Sequence, residues 1–149
     1  MNCKDLIDSI LKGVSADVVK DQISKGIRAS GKSADSLKTE SEAAEGDLKG
    51  SAHIYFQIHG RKPGPFRDGI KTIMAWLEDK GIKPIDISLK SLAFLIVRKI
   101  QQRGNDIFMG RRPALAFSEI VTKWKKILVE RFIQQLKQEV HGAISSGKA

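Results

Sequence analysis

The sequence predicts an α+β fold in which a small antiparallel β-hairpin or sheet packs against several helices, with a long C-terminal helix. Three observations predict it. Apolar residues recur at helical spacing in the first thirty positions and again after residue 66. Between them, residues 33–60 turn small, polar and β-compatible, with Gly46-Asp47 offering a turn. A third apolar stripe then runs from Phe117 to Val140, longer than the core of a 149-residue chain needs. One domain over residues 1–149 is expected at this length.

Residues 1–30 read as two helices. Leu6, Ile7, Ile10 and Leu11 form the stripe of the first, and Val19, Ile23 and Ile27 that of the second. The spacing places a break near Gly13, a cap at Ser15 or Asp17, and an end at Gly31. Residues 33–60 are expected to be the hairpin, with arms Leu37–Ala44 and Leu48–Ile58. In the second arm His53, Tyr55, Gln57 and His59 alternate with Ile54, Phe56 and Ile58, the period of a half-buried strand.

Pro63 and Pro65 exclude a helix from the loop Gly60-Arg-Lys-Pro-Gly-Pro-Phe66. Residues 66–104 then hold two core helices. The first carries Ile70, Ile73, Met74 and Leu77 on one stripe and ends at Gly81. The second, from Leu89 to Ile100, is apolar nearly all round and reads as a buried helix, with a strand as the alternative because its centre is β-branched. The long helix is expected over 113–142, with Pro113 at its first position and a frayed end over residues 145–149. Trp76 and Trp124 fall beside helical stripes as core anchors; Trp76 alternatively covers an intersubunit seam.

Composition narrows the function. No apolar stretch approaches the roughly 18 residues of a membrane span, and the first twelve residues lack the hydrophobic run of a secretory signal. Cys3 is the only cysteine, which excludes an intrachain disulfide and any multi-cysteine metal site and suits a reducing cytosol. The net charge of +9 is uneven: residues 1–60 hold 8 Lys and Arg against 9 Asp and Glu, residues 61–149 hold 18 against 8. The basic half would concentrate polyanions, whether nucleic acid or an acidic protein face, or simply solvate the chain.

Gly26-Ile-Arg-Ala-Ser-Gly31-Lys32-Ser33 satisfies the pattern of a phosphate-binding P-loop. That chemistry needs a strand before the loop and a helix after it. Here a helix is expected before and a strand, Ala34–Thr39, after, so Gly31 reads as a helix terminator and Lys32 as a solvated residue. Ile85-Asp86 is the nearest apolar-Asp pair for Mg²⁺ and follows Pro84 in a loop. His53, His59 and His141 lack zinc spacing, and Glu42 and Glu45 read as a solvated rim. No catalytic, cofactor or metal residues are assigned, and the chain is not expected to be an enzyme. Candidate contact residues are Arg61, Lys62, Pro63, Pro65 and Arg67 around the proline loop, and Arg111, Arg112, Lys123, Lys125 and Lys126 at the long helix. None sits in a helix-turn-helix, zinc-finger or RNA-recognition signature.

Four phrases in order resemble the tail-completion or neck proteins, the head-tail connector components, of tailed bacteriophages. They are Gly31-Lys-Ser-Ala-Asp-Ser-Leu37; Tyr55-Phe-Gln-Ile-His-Gly-Arg-Lys-Pro-Gly-Pro-Phe66; Ile73-Met-Ala-Trp76-Leu with Lys80-Gly81-Ile82; and Ala93-Phe-Leu-Ile-Val-Arg98-Lys-Ile100 with Gly104. The resemblance spans about residues 26–120. Two features depart from it: Asn105-Asp-Ile-Phe-Met109 stands where the family often has a short Pro-containing stretch, and the basic C-terminal helix is longer.

The resemblance implies a structural virion protein, made in the bacterial host cytoplasm and located in the neck or tail region. It would form a homo-oligomeric ring of six or twelve copies between portal or neck and tail proteins, with non-specific contact to packaged DNA and no membrane. On that reading the loop Gly60–Phe66 is an intersubunit or interlayer contact, rigid through Pro63 and Pro65, in which Arg61 and Lys62 meet acidic groups of a neighbour. The alternative from another class is a small basic nucleic-acid-binding protein; a P-loop-like nucleotide-binding protein comes third.

Overall fold

The computed structural model describes residues 3–27, 31–42 and 45–147. Among them are six helices and one two-stranded antiparallel sheet, the α+β class that the sequence predicts. In chain order they are α1 (Cys3–Ser24), α2 (Lys32–Asp35), β1 (Lys38–Ser41), β2 (Gly46–Lys49), α3 (Ala52–His59), α4 (Gly69–Asp79), α5 (Leu89–Arg103) and α6 (Phe117–Ser146). No helix among the described residues is long and apolar enough to cross a membrane. The chain divides into two compact units: unit 1 takes Met1–Val19, Leu37–Lys49 and Ala116–Ala149, and unit 2 takes Lys20–Ser36 and Gly50–Leu115.

In unit 1, α1 buries Leu6, Ile10, Val14 and Val18, a side chain every fourth residue on one face. The helix passes through Gly13 without a break, so the two helices expected there are one. A glycine in a helix interior costs about 1 kcal/mol against alanine. Here it makes room: a Cβ on Gly13 would lie 2.1 Å from Cη2 of Trp124 on α6. The indole rests in that notch, and its Nε1 donates to Oδ2 of Asp17 at 2.8 Å. Lys123 Nζ lies 2.7 Å from the same oxygen, so Trp124, Lys123 and Asp17 lock α6 to α1.

The sheet sits on the other end of α1. Register pairs Lys38 with Lys49 and Ser41 with Gly46. A Cβ on Gly46 would stand 2.5 Å from Cγ2 of Ile7, and Ser41 Oγ donates to Oδ1 of Asp8 at 2.7 Å. That hydroxyl first, then Lys12, holds the Asp8 carboxyl below its ordinary range. Glu40 pairs with Lys49 across the strands and raises the lysine's pKa by its hydrogen bond and its charge.

The hairpin is shorter than expected, and Gly46 and Asp47, expected at its turn, are strand residues of β2 paired with Ser41 and Glu40. Its tip at residues 43–44, part of the first expected arm, lies outside the described residues, and its second arm stops at Lys49. Residues 52–59 form α3 instead of continuing the strand. The alternation of Ile54, Phe56 and Ile58 concealed a helical face: Ile54 is buried, Gln57 and Ile58 are half-buried, and Phe56 is exposed. Gln57 holds an inward position because its amide is used there. Its Oε1 accepts from Gln22 Nε2 at 2.7 Å, and its Nε2 donates to Ser33 Oγ at 3.1 Å.

Gln22 completes a second correction. It is wholly buried in unit 2, whereas Ile23, expected inside, is 55% exposed. Gly26, at φ 62°, ends α1 in place of Gly31: Gly26 N–H donates to Ile23 O and Ile27 N–H to Gln22 O. Gly31, at φ 86°, precedes the single turn α2, so residues 32–35 are helical where a strand was expected.

The rest of unit 2 follows the sequence more closely. α4 buries Leu77, half-buries Ile70, Ile73 and Met74, and ends at Gly81, where Ile82 N–H donates to Leu77 O. Ser88 caps α5 by accepting from Ser91 N–H at 3.0 Å. α5 is a helix, but it is not buried all round: Ala93 and Val97 are inside while Phe94 and Leu95 are half exposed. Gly69 lets α4 approach α5, since a Cβ there would meet Phe66 and Val97 at 2.8–3.0 Å. After α5 the chain runs through Leu115, buried, whose N–H donates to Gln57 O at 2.9 Å. Residues 113–115 are not helical, so α6 starts at Phe117 rather than Pro113 and runs past the expected end at 142 to Ser146.

Candidate functional site

The proline loop of unit 2 is held by backbone bonds on both sides. Gly60 ends α3 at φ 72°, where a Cβ would stand 2.2 Å from the backbone nitrogen of Phe108, so only glycine fits. Asn105 then clamps the chain. Its Oδ1 accepts from Arg61 N–H at 3.0 Å and from Phe108 N–H at 2.9 Å, while its own N–H donates to Arg61 O at 3.0 Å. Gly64 N–H donates to Gln101 O at 2.9 Å, which fastens the loop tip to the last turn of α5. The stretch 105–109 is thus the strap over this loop.

Arg61 is turned inward. Its guanidinium carbon lies 4.0 Å from the centroid of Phe66 and 5.6 Å from that of Phe56, and its Nη2 donates to Pro65 O at 2.7 Å. The sequence grouped Arg61 with Lys62 as paired contact cations, but its side chain is spent on the loop's own shape. Lys62, Pro63, Pro65 and Arg67 are exposed.

Arg111 and Arg112 are exposed on the turn after the strap, their N–H groups donating to Asp106 O at 2.8 and 3.1 Å. Arg98 and Arg103, not singled out from the sequence, lie exposed on α5 beside Gln101, to which the loop is tied. Among the described residues, the side chains of Lys62, Arg67, Arg98, Arg103, Arg111 and Arg112 make no ion pair within the chain. Unit 2 holds 16 Lys and Arg against 7 Asp and Glu, and unit 1 holds 10 against 10, so the whole excess of nine positive charges belongs to unit 2. Exposed aromatics share the unit: Tyr55 at 59% and Phe108 at 41%.

Lys123, Lys125 and Lys126 fall in the electrically balanced unit 1, on α6. Lys123 is engaged by Asp17; Lys125 and Lys126 are exposed. The more telling feature of α6 is apolar. Val129, Phe132, Ile133, Leu136, Val140 and Ile144 are exposed by 44–61%, and their spacing of three and four places them along one side of the helix. From Arg131 to Gly147 no described side chain is buried.

Comparison with protein-family models, with curated proteins and with solved structures finds no match. Function therefore rests on these surfaces.

The remaining sequence candidates gather into no site. Lys32 of the P-loop pattern is exposed on α2, helix α1 occupies the place of the required strand, and positions 28–30 lie outside the described residues. His53 and His59 lie on α3, where His59 packs 4.6 Å from the Tyr55 ring, and His141 is on α6. No group of three His, Cys, Asp or Glu that could hold a metal occurs among the described residues. Glu42 and Glu45 are exposed where Glu42 N–H donates to Glu45 O at 2.8 Å. Asn105 is a structural determinant of the loop that sequence reasoning missed. Its signal was present: an Asn after a helix-ending glycine is a frequent turn-former, because its side chain bonds nearby backbone.

Proposed function

We propose that this chain is a structural virion protein of a tailed phage, a subunit of a ring-forming head-tail connector or tail-completion layer that joins portal or neck to tail. The single observation that carries the assembly reading is the exposed side of α6. Monomeric soluble proteins rarely expose long contiguous apolar patches, and an isolated helical stretch without tertiary packing is marginal in water. The stretch from Val129 to Ile144 exposes such a patch, touches α1 through Arg131 and Ser9 near its start, and calls for cover by a protein surface. Identical copies can supply it, since repeated heterologous contacts close into a ring when the rotation per copy permits.

The virion assignment draws on the four ordered sequence phrases, and the rigid loop Gly60–Phe66 supports it as a pre-organised contact. On this reading Pro63 and Pro65 face the neighbouring layer while Arg61 maintains the loop. Six or twelve copies form the ring, the protein is made in the host cytoplasm, and no catalysis is involved.

Sedimentation velocity and native mass spectrometry of the full chain test the assembly. A closed oligomer of six or twelve copies is expected, and Leu136→Glu with Val140→Glu should dissociate it without lowering helix content by circular dichroism. A monomer at every concentration, together with absence of the chain from purified particles, would refute the proposal.

A further inference from the structure

We infer that unit 2 carries a nucleic-acid-binding face, built on the strapped proline loop and the end of α5, that takes the phosphate backbone without reading sequence. This inference does not depend on the connector reading, because it rests on charge placement within one unit.

Four observations converge on it. The first is the division of charge: all nine excess positive charges lie in unit 2, although the two units have comparable lengths. A charge excess that merely aided solubility would have no reason to leave unit 1 balanced at ten against ten. The second is connectivity. Gly64 is bonded to Gln101, Arg61 to Asn105 in both directions, and Arg111 and Arg112 to Asp106. These bonds draw Lys62, Arg67, Arg98, Arg103, Arg111 and Arg112 onto adjoining backbone, all exposed and none paired with a carboxylate among the described residues. Asp68 and Asp106 are the acidic residues in these segments.

The third is residue type. Five of those six cations are arginine, whose planar fork donates two parallel bonds to a phosphate and is weakly hydrated. The fourth is the aromatic complement. Tyr55 and Phe108 are exposed in the same unit, and Phe108 is fixed there: its backbone N–H is held by Asn105, and its ring lies so close to Gly104 that a Cβ there would stand 2.6 Å from Cδ1. Phosphate-binding cations with open aromatic rings are the two components of sequence-tolerant nucleic-acid surfaces, the rings stacking on bases that single strands expose. An acidic protein face would use the cations but gives no role to the rings.

Rigidity assists. Pro63, Pro65, the Asn105 clamp and the Gly64 tether set the backbone under these side chains before binding, so little ordering entropy is lost on contact. The salt response follows from the same arrangement. Each phosphate neutralised releases condensed counterions, so log affinity should fall linearly with log salt, with a slope near −0.9 for each contact on duplex.

The test is fluorescence anisotropy of the full-length chain with fluorescein-labelled random-sequence duplex and single-stranded DNA over a salt series. Binding to both is expected, weakening steeply with salt. Arg103→Gln with Arg111→Gln should reduce the steepness of the slope by about 2 and lower affinity equally for unrelated sequences. Lys125→Gln with Lys126→Gln removes the same charge from unit 1 and should leave the slope and affinity as they were. Tyr55→Ala should weaken single-strand binding by about fivefold or more while sparing duplex. Circular dichroism and thermal melts of each variant verify folding, and the parent's own salt slope decides the matter if a variant unfolds. No saturable DNA binding by the parent at low salt overturns the inference. So does equal loss from the two double variants, which would make the effect one of net charge. Tighter binding to polyglutamate than to DNA would also overturn it, in favour of an acidic protein partner.

Discussion

Removing the Asn105 side chain tests whether the proline loop is held by one amide. Its Oδ1 receives two backbone N–H groups, from Arg61 at 3.0 Å and Phe108 at 2.9 Å. In Asn105→Ala both donors lose their acceptor. A buried donor left unsatisfied costs about 1–3 kcal/mol. Asn105 is half-buried, so water replaces part of the lost bonding and the lower end applies to each, giving a destabilisation of roughly 2 kcal/mol for the pair. In a chain of this size that lowers Tm by about 4–8 °C. Asn105→Asp keeps the acceptor oxygen in a cationic region and should cost far less. Urea unfolding measures the first quantity, and amide hydrogen exchange at Arg61 and Phe108 measures the second, with exchange accelerated about thirtyfold in the alanine variant for a 2 kcal/mol loss. An alanine variant within about 0.5 kcal/mol of the parent, the range of an ordinary surface substitution, would show that the loop holds its shape by other means. Equal damage from aspartate and alanine would show that the oxygen is not what matters.

Arg61→Ala should destabilise unit 2 by about 2 kcal/mol, from a cation–π contact and a charge-assisted hydrogen bond, whereas Lys62→Ala should stay within about 0.5 kcal/mol; urea unfolding separates them, and equal effects would mean that both side chains are solvated. Gly13→Val should cost unit 1 about 2–3 kcal/mol, because the added methyl groups occupy the volume of the Trp124 ring, and the Trp124 emission should shift as the indole is expelled. The folded pKa of Asp8 is depressed, so its contribution to stability is present above the unfolded value near 3.9 and is lost as pH falls through the lower folded value. Ser41→Ala should raise the Asp8 midpoint toward the ordinary value in an NMR carboxyl titration; an unchanged midpoint would remove the hydroxyl as its cause.

The sequence determined by itself those elements whose local signals agree with their final environment. α4 has its apolar stripe, a terminating Gly81 and a following proline, and it forms where the pattern placed it. The long α6 and the loop around Pro63 and Pro65 were legible for the same reason: proline geometry and helical period act within a few residues. The excess of cations after residue 60 was legible as well, since charge is additive.

Tertiary structure decided the rest. Gly13 looks like a break because glycine weakens an isolated helix, and becomes a notch only when Trp124, more than a hundred residues later, fills it. Residues 52–59 look like a strand because Ile54, Phe56 and Ile58 alternate. In the helix they form, Gln57 turns inward to the buried Gln22 and the half-buried Ser33, polar partners that periodicity assigns to the surface. The same error exchanged Gln22 for Ile23. Arg61 and Lys62 are neighbours of like chemistry in the sequence, yet Phe66 and the Pro65 carbonyl take one inward and leave the other to solvent. Hydropathy records what each side chain prefers in isolation; which polar groups go inside depends on partners that only the folded chain brings within bonding distance.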